Sequence, residues 1–169
     1  HAGRSRNDQV LVAICLYLKN EIGEIKELTK QLFDLLIRKA RKHKDDFMPG
    51  YTHFQIAMPS SFGMWFSAYA ECLIDDIILF NASEKIVDQN PLGSAAGYGS
   101  SFPIDRIQTT KELSFSDLKY NSMAAQMSRG NIEKITLSSI GSLASTLSKL
   151  SMDICLYTVS YTHLRAHET

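Results

Sequence analysis

The chain has 169 residues, of which 44% are hydrophobic and 21% are charged, the composition of an ordinary soluble globular protein. Its 18 basic and 18 acidic residues give a formal net charge of zero, which argues against a nucleic-acid partner. No apolar run reaches the roughly 18 residues of a membrane span. The three cysteines, Cys15, Cys72 and Cys155, are too far apart to indicate disulfides or a metal site. We therefore expect a cytoplasmic protein with buried, reduced thiols and no membrane partner.

The first predicted element is one long helix from residue 8 to about residue 45, with Ser5 or Asn7 as its N-cap and Pro49 beyond its end. Its apolar residues recur at spacings of three and four, which is typical of an amphipathic helix. This stripe consists of Leu11, Ile14, Leu18, Ile25, Leu28, Leu32 and Leu35. At 1.5 Å per residue the helix would be about 55 Å long, so we expect a bundle that is shared between chains.

The middle of the chain predicts a connector, a second helix and a loop. The connector covers residues 50–59, and the apolar pattern predicts a helix over residues 60–87. Residues 88–102 form a loop that is rich in small residues. Pro103 suits the first turn of a short helix that ends near residue 113.

The last predicted element is a third long helix over residues 119–158. Its apolar seam has spacings of 3, 4, 3, 4 and 3, which fit both a coiled coil and the core of a bundle. The seam consists of Ile140, Leu143, Leu147, Leu150, Ile154 and Tyr157. Because strand signals are nearly absent, the predicted fold class is all-α, a bundle of long helices.

The first candidate functional segment lies at the start of the first helix. A helix N-terminus offers free N–H groups and a partial positive charge to a carboxylate, and Arg6 could add forked donors. Ser5 and Asn7 can form hydrogen bonds with a polar substrate. The same residues could equally form a capping box with solvated charges. The residues alone leave both interpretations open.

The second candidate segment is the connector. Histidine is a common general acid or base near neutral pH, a role that His53 could take, while Thr52 and Gln55 could orient a carboxylate or an amide. A lone histidine in a loop is more often structural or merely exposed, so this interpretation is also open. A third segment, residues 90–106, could wrap a ligand with backbone N–H groups or could be a plain tight connection.

Three segments, in this order, resemble signatures of the argininosuccinate lyase family: HAGRSRNDQV at residues 1–10, GYTHFQIAMP at 50–59 and NPLGSAAGYGSSFPIDR at 90–106. The resemblance covers residues 1–158. The wider fumarase/aspartase superfamily shares the helical plan but not RSRNDQ together with GYTH, so the combination is specific. The resemblance implies that the helices are part of the central helical domain of a homotetramer, in which each active site is assembled from three subunits.

The resemblance also implies the roles of individual residues. His53 corresponds to the catalytic histidine of the family, an acid/base group. The substrate-binding residues that it implies are His1, Ser5, Arg6, Asn7, Thr52, Gln55 and Arg106. The implied partner is the small-molecule substrate argininosuccinate, and no metal is implied.

The implied reaction is a β-elimination that yields arginine and fumarate. A base removes a proton from the carbon next to a carboxylate, the resulting charge is held as an aci-carboxylate, and the guanidino group leaves as the C–N bond breaks. No cofactor is implied, because the carboxylate can hold the charge when enough hydrogen-bond donors surround it.

The chain departs from the family after residue 158. The family's flexible serine loop is absent there, and residues 159–169 resemble a foreign tail rather than the lyase. With two of three site segments, this chain alone is expected to be inactive. Two alternatives remain open: a non-catalytic structural relative, as in lens crystallins, and a sister lyase that acts on adenylosuccinate, fumarate or aspartate.

Overall fold

The computed structural model describes residues 3–166, with side chains described for residues 3–158. Five α-helices and four short strands form within that part of the chain. The helices are α1 (Arg6–Lys42), α2 (Phe62–Val87), α3 (Arg106–Glu112), α4 (Ser122–Met127) and α5 (Asn131–Ala166). The strands are β1 (Phe47–Thr52), β2 (Gln55–Ser61), β3 (Gln89–Asn90) and β4 (Asp117–Leu118). The predicted helical fold class is confirmed, and the few strands that accompany the helices are short.

The connector that was predicted over residues 50–59 is a β-hairpin. Strands β1 and β2 pair antiparallel, with Thr52 opposite Gln55 at the turn. The turn residues, His53 and Phe54, have φ angles of 52° and 59°. Two-residue hairpin turns with positive φ usually contain Asn-Gly or Asp-Gly, so this sequence carries no ordinary hairpin signal. Two prolines within the strands weaken the strand signal further.

The described residues form two compact units. The first unit runs up to Glu27 and resumes over Ile78–Ser139. Its buried apolar side chains come from α1, α2, α4, α5 and the loops between them. They are Leu11, Val12, Cys15, Ile22, Phe80, Val87, Leu92, Phe115, Ala125 and Ile132.

The second unit consists of Leu28–Ile77 and the chain from Ile140 onward. Its core is built by α1, α2 and α5, each of which contributes apolar side chains. The buried members are Leu36, Ala70, Leu73 and Leu150, and the partly buried side chains packed against them are Leu32, Phe33, Ile37, Trp65, Phe66, Tyr69 and Leu143. The hairpin β1–β2 belongs to this unit.

The buried face of α1 differs from the predicted stripe. Leu28 and Leu35 belong to the predicted stripe, and in the single chain they are 63% and 41% exposed. The positions that are buried instead recur every seven residues: Cys15, Ile22, Thr29 and Leu36. Apolar residues cover more than one face of this helix, so periodicity alone could not identify the face that packs inward.

The buried face of helix α5 also differs from the predicted seam, and here the reason is that polar residues are buried. Of the predicted seam, Leu150 is buried, whereas Ile154 is 49% exposed. Thr136 and Ser139 are buried in the helix although neither is apolar. The Thr136 hydroxyl donates to the carbonyl of Ile132 at 2.9 Å, so its polar group is satisfied within the helix. A search for apolar residues therefore misses such positions.

Two predicted helix boundaries are wrong. The helix predicted over residues 119–158 is two helices, because the chain turns between α4 and α5 at Gly130, whose φ is 79°. Helix α3 does not begin at Pro103. Its N-cap is Asp105, whose carboxylate accepts hydrogen bonds from the N–H groups of Ile107 and Gln108.

The cysteines depart in part from the expectation of buried thiols. All three are free, and Cys15 is buried, but Cys72 and Cys155 are exposed. No helix in the described part of the chain combines the length and the apolar character needed to cross a membrane.

Candidate active site

The start of α1 forms a capping box. The hydroxyl of Ser5 accepts a hydrogen bond from the N–H of Asn7 at 3.2 Å, and the carboxylate of Asp8 accepts one from the N–H of Ser5 at 3.0 Å. Ser5 is therefore the N-cap. The side chains of Arg6 and Asn7 are exposed. Capping thus accounts for Ser5 and leaves the functional interpretation open for Arg6 and Asn7.

Asp8 is the residue that sequence analysis missed at this site. It is fully buried, and its Oδ2 atom accepts hydrogen bonds from the N–H groups of Gly93 at 3.0 Å and Ala95 at 2.9 Å. One carboxylate therefore holds the small-residue loop against the start of α1. Its spacing of three residues from Ser5, which fits a capping box, was the available signal.

The loop after β3 is fixed by buried polar contacts. Asn90 is fully buried, and its Nδ2 atom donates to the Thr110 hydroxyl at 2.9 Å. Its Oδ1 atom accepts from the N–H of Leu92 at 2.9 Å. Since buried amide groups are costly when they lack partners, these bonds specify one path for the chain. The loop is a built connection that positions backbone N–H groups.

Arg106 crosses beneath this loop. Its Nε atom donates to the carbonyl of Leu92 at 2.9 Å, and its Nη1 and Nη2 atoms donate to the carbonyls of Tyr120 at 3.1 Å and Lys119 at 2.8 Å. Burial lowers the pKa of Arg106, and the charge of Asp8 opposes that shift. Of the five N–H groups of a guanidinium, two remain for a ligand after these three bonds.

The junction of α4 and α5 meets the same part of the first unit. Gln126 donates from Nε2 to the hydroxyl of Ser94 at 2.9 Å and to the carbonyl of Ala95 at 3.1 Å. Arg129 donates from Nη2 to the carbonyl of Asn7 at 2.9 Å. Sequence analysis did not select either residue, because their partners are about 30 or more residues away and follow no local pattern.

The second group of candidate residues lies at the end of the hairpin. Thr52, His53 and Gln55 are exposed there, at or next to the turn. A cavity of about 470 Å³ adjoins the turn. It is lined by Tyr51, His53, Phe54, Asp153, Leu156 and Tyr157. The imidazole thus lies at the rim of a concave surface that has aromatic walls and a carboxylate.

The predicted site residues fall into two groups. The structure brings Ser5, Arg6 and Asn7 into one part of the first unit, and the loop that Asp8 holds also packs on Arg106. The hairpin residues belong to the second unit. His1 lies outside the described residues. Within those residues, no three His, Cys, Asp or Glu side chains cluster closely enough to hold a metal ion.

Comparison with known proteins identifies related sequences. The profile of the lyase family matches residues 1–166. Argininosuccinate lyase from Bacteroides fragilis is 53% identical over 157 residues, which cover 93% of this chain and 35% of the relative. The enzyme of the same name from Xanthomonas campestris is 42% identical over 158 residues, covering 94% and 37%. The chain therefore spans about a third of the length of these relatives.

Solved structures agree on the fold. An EDDS lyase in complex with formate superposes with a TM-score of 0.91 at 26% identity, covering 94% of this chain and 32% of that one. The fumarate lyase:delta crystallin from Brucella melitensis gives a TM-score of 0.80 at 20% identity, covering 90% and 34%. The second likeness concerns the fold alone. The resemblance inferred from the three sequence signatures is confirmed by the 53% identity with an argininosuccinate lyase.

Proposed function

The chain belongs to the lyase family, and on that premise we propose that it is part of an argininosuccinate lyase, which converts argininosuccinate to arginine and fumarate. The identities of 53% and 42% with argininosuccinate lyases favour this substrate over that of the EDDS lyase, which is 26% identical. In this proposal residues 1–158 are a part of the central lyase domain and residues 159–169 are a foreign tail. The activity belongs to a longer, cytoplasmic subunit, and this chain alone is inactive.

One observation carries the proposal furthest: the backbone conformation at His53. His53 and Phe54 both have positive φ angles, of 52° and 59°. For residues other than glycine this conformation costs about 1–2 kcal/mol each, and such strain concentrates at functional sites. Asn-Gly would form the same turn at lower cost. An exposed imidazole beside a cavity can come within hydrogen-bond reach of a bound substrate, which a general acid or base must do.

The start of α1 supplies the proposed substrate-binding donors. Arg6 and Asn7 are exposed at the positive end of a 37-residue helix. A dicarboxylate whose charge grows during proton removal is stabilised by such preorganised donors. Ser5 belongs to the same binding group through its place at the helix start. His1 is assigned to this group through the family resemblance alone.

The remaining proposed contacts come from the hairpin and from Arg106. Thr52 and Gln55 flank the turn, so their polar groups can orient a carboxylate next to His53. Arg106 uses three N–H groups to hold the loop, so its proposed contact with the substrate is limited to the two that remain.

We further propose that complete sites form between copies in a homotetramer. Helix α5 supports this, because Ile140, Leu147 and Ile154 recur every seven residues and are 37%, 37% and 49% exposed. An apolar stripe with this spacing is the face that a second helix covers in a bundle. The α1 donors of one copy would then act together with His53 of another.

The proposal is tested with the complete lyase subunit that contains this segment. Release of fumarate from argininosuccinate, followed by ultraviolet absorbance, should be rapid for the wild type. His53→Asn should lower kcat by about 10²- to 10⁴-fold, the usual contribution of a general acid or base. His43→Asn is the matched control, because His43 pairs with Asp46 at the end of α1 rather than at the turn.

The outcomes separate the alternatives. Adenylosuccinate, aspartate and ethylenediamine disuccinate are offered in parallel, and faster turnover of any of them would replace argininosuccinate as the substrate. A folded wild-type tetramer with no turnover would indicate a non-catalytic relative. Normal turnover in His53→Asn would remove the proposed mechanism.

A further inference from the structure

We propose that Asp153 is a positioning residue that sets the place of His53 through a chain of aromatic side chains between α5 and the hairpin. This inference rests on the proposed function, because it concerns how the catalytic histidine is held. All the residues involved belong to the second unit.

The carboxylate of Asp153 accepts hydrogen bonds from two side chains of α2. Its Oδ2 atom accepts a hydrogen bond from Nε1 of Trp65 at 3.1 Å and one from the hydroxyl of Tyr69 at 2.6 Å. Burial together with the hydrogen bond and charge of Asp153 raises the pKa of Tyr69, so its hydroxyl stays a donor. Two donors one helical turn apart therefore converge on one oxygen, which fixes the orientation of both rings.

The fixed indole supports Tyr157. The rings of Trp65 and Tyr157 meet edge to face, with centroids 5.6 Å apart and an interplanar angle of 84°. Tyr69 packs on Trp65 in the same way, at 5.7 Å and 82°. Edge-to-face geometry is the favoured arrangement of aromatic pairs, and it constrains how each ring can tilt. Tyr157 lies one turn beyond Asp153 on α5, so the carboxylate and the ring share a rigid support.

Tyr157 in turn holds the hairpin. The ring centroids of Tyr157 and Tyr51 are 5.9 Å apart. Tyr51 lies two residues before His53 in the chain. Every residue from Thr52 to Pro59 is exposed. A two-stranded hairpin is at best marginally stable by itself, and this one carries a strained turn. The contact of Tyr51 with Tyr157 therefore limits the positions that the turn can adopt.

The cavity beside the turn supports the same conclusion. Asp153, Tyr157 and His53 all line this space of about 470 Å³. A change at Asp153 therefore acts on the lining of the cavity that His53 also lines, as well as on the aromatic chain. Small displacements of a catalytic group reduce turnover more than they reduce substrate affinity, because reaction needs closer alignment than binding does.

The test uses the complete lyase tetramer, isolated by gel filtration so that turnover is measured per folded subunit. Asp153→Ala should lower kcat about tenfold or more and leave KM within about twofold. Asp153→Asn keeps an oxygen acceptor of similar size and should recover most of the lost kcat. Asp34→Ala removes an exposed carboxylate of the same unit and is the unchanged control.

A double-mutant cycle distinguishes positioning from general destabilisation. In a His53→Asn background, Asp153→Ala should cause no further loss of kcat, because its effect passes through the missing imidazole. Equal loss in both backgrounds, or full kcat in the folded Asp153→Ala enzyme, would overturn the proposal. Should Asp153→Ala fail to assemble, Tyr157→Leu tests the same chain of contacts in the same cycle.

Hydrogen exchange provides a readout that does not depend on activity. Amide exchange over residues 47–61, measured by mass spectrometry, should be faster in Asp153→Ala and Tyr157→Leu than in Asp34→Ala. Unchanged exchange there would contradict the proposal. If the wild-type enzyme had no lyase activity, the proposed function would be wrong. The exchange measurement would still show whether Asp153 holds the hairpin in place.

Discussion

Asp8 and Gly93 lie 85 residues apart in the chain, yet the carboxylate of Asp8 accepts a hydrogen bond of 3.0 Å from the backbone N–H of Gly93. The same oxygen atom accepts from the N–H of Ala95. The start of α1 and the small-residue loop are therefore joined through one buried side chain. The position of the donors at Arg6 and Asn7 depends on this attachment.

Removal of this carboxylate should be costly. Asp8→Ala leaves the N–H groups of Ser5, Gly93 and Ala95 without the acceptor that they share. Unpaired buried donors cost about 1–3 kcal/mol each, so we expect a total loss of about 2–4 kcal/mol after partial relaxation. The loss in the free energy of unfolding is measured by guanidinium-induced unfolding of the complete subunit at fixed protein concentration. Asp45→Ala, which removes an exposed carboxylate, should change stability by less than about 0.5 kcal/mol, and an equal effect of both variants would refute this prediction.

Gly93 should not tolerate a side chain. Its φ is 88°, and an added Cβ would lie 2.8 Å from Cγ of Arg106. Gly93→Ala should destabilise the protein by about 1–3 kcal/mol, because strain and overlap combine. Gly23→Ala is the matched control, since Gly23 lies within α1 with nothing within 4 Å, and it should stabilise by about 0.5–1 kcal/mol. Thermal unfolding of both variants compares them directly, and a neutral Gly93→Ala would contradict the loop geometry.

Asp88 should contribute to acid sensitivity. Burial acts to raise the pKa of Asp88, but hydrogen bonds from Lys19 and Ser116 outweigh it and lower the pKa. A lowered folded pKa gives stability that is present above the unfolded value of about 3.9 and is lost as the pH falls through the folded value. Asp88→Asn should therefore be less stable than wild type at neutral pH, and the difference should narrow below about pH 4. Melting temperatures across the acid range test this, and a constant difference would contradict it.

Cys15 should be unreactive in the folded protein. Burial raises the pKa of its thiol to about 12, and the charge of Glu133 adds to the shift while Lys119 opposes it. Since the thiolate is the reactive form, labelling at about pH 8 should leave Cys15 unmodified until denaturant is added. Peptide mapping by mass spectrometry gives the extent of labelling at each cysteine. Equal labelling of Cys15 in folded and unfolded protein would show that the core of the first unit is open.

The helical framework could be predicted because its signals are local. The predicted second helix, residues 60–87, matches α2 to within two residues at its start, and the predicted first helix contains all but the first two residues of α1. The buried faces were harder to predict. Apolar residues occupy several faces of α1 and α5, so the choice between faces depends on neighbours that the pattern does not contain.

Much of the candidate site could not be predicted from the sequence. His53 was selected for its chemistry, but the hairpin that carries it was not, because His-Phe is not a usual hairpin turn. Asp8 was missed because two of its partners are backbone N–H groups far away in sequence. Asp153 was missed because its role depends on two donors in α2 and on ring geometry, neither of which has a sequence signature.

In the proposed tetramer, donors at the start of α1 and the imidazole of the hairpin act in one site and are supplied by different copies of the chain. Two variants of the complete subunit, Asn7→Ala and His53→Asn, each nearly inactive, carry different affinity tags and are co-expressed. Mixed tetramers that bear both tags are then purified. Fumarate release is measured per folded subunit.

If the two residues come from different copies, random assembly leaves both intact in some sites, so turnover should recover to about a quarter of the wild-type value. If each site takes both residues from one copy, every site in the mixed tetramer keeps one defect. Turnover that stays at the level of the separate variants would therefore contradict the claim.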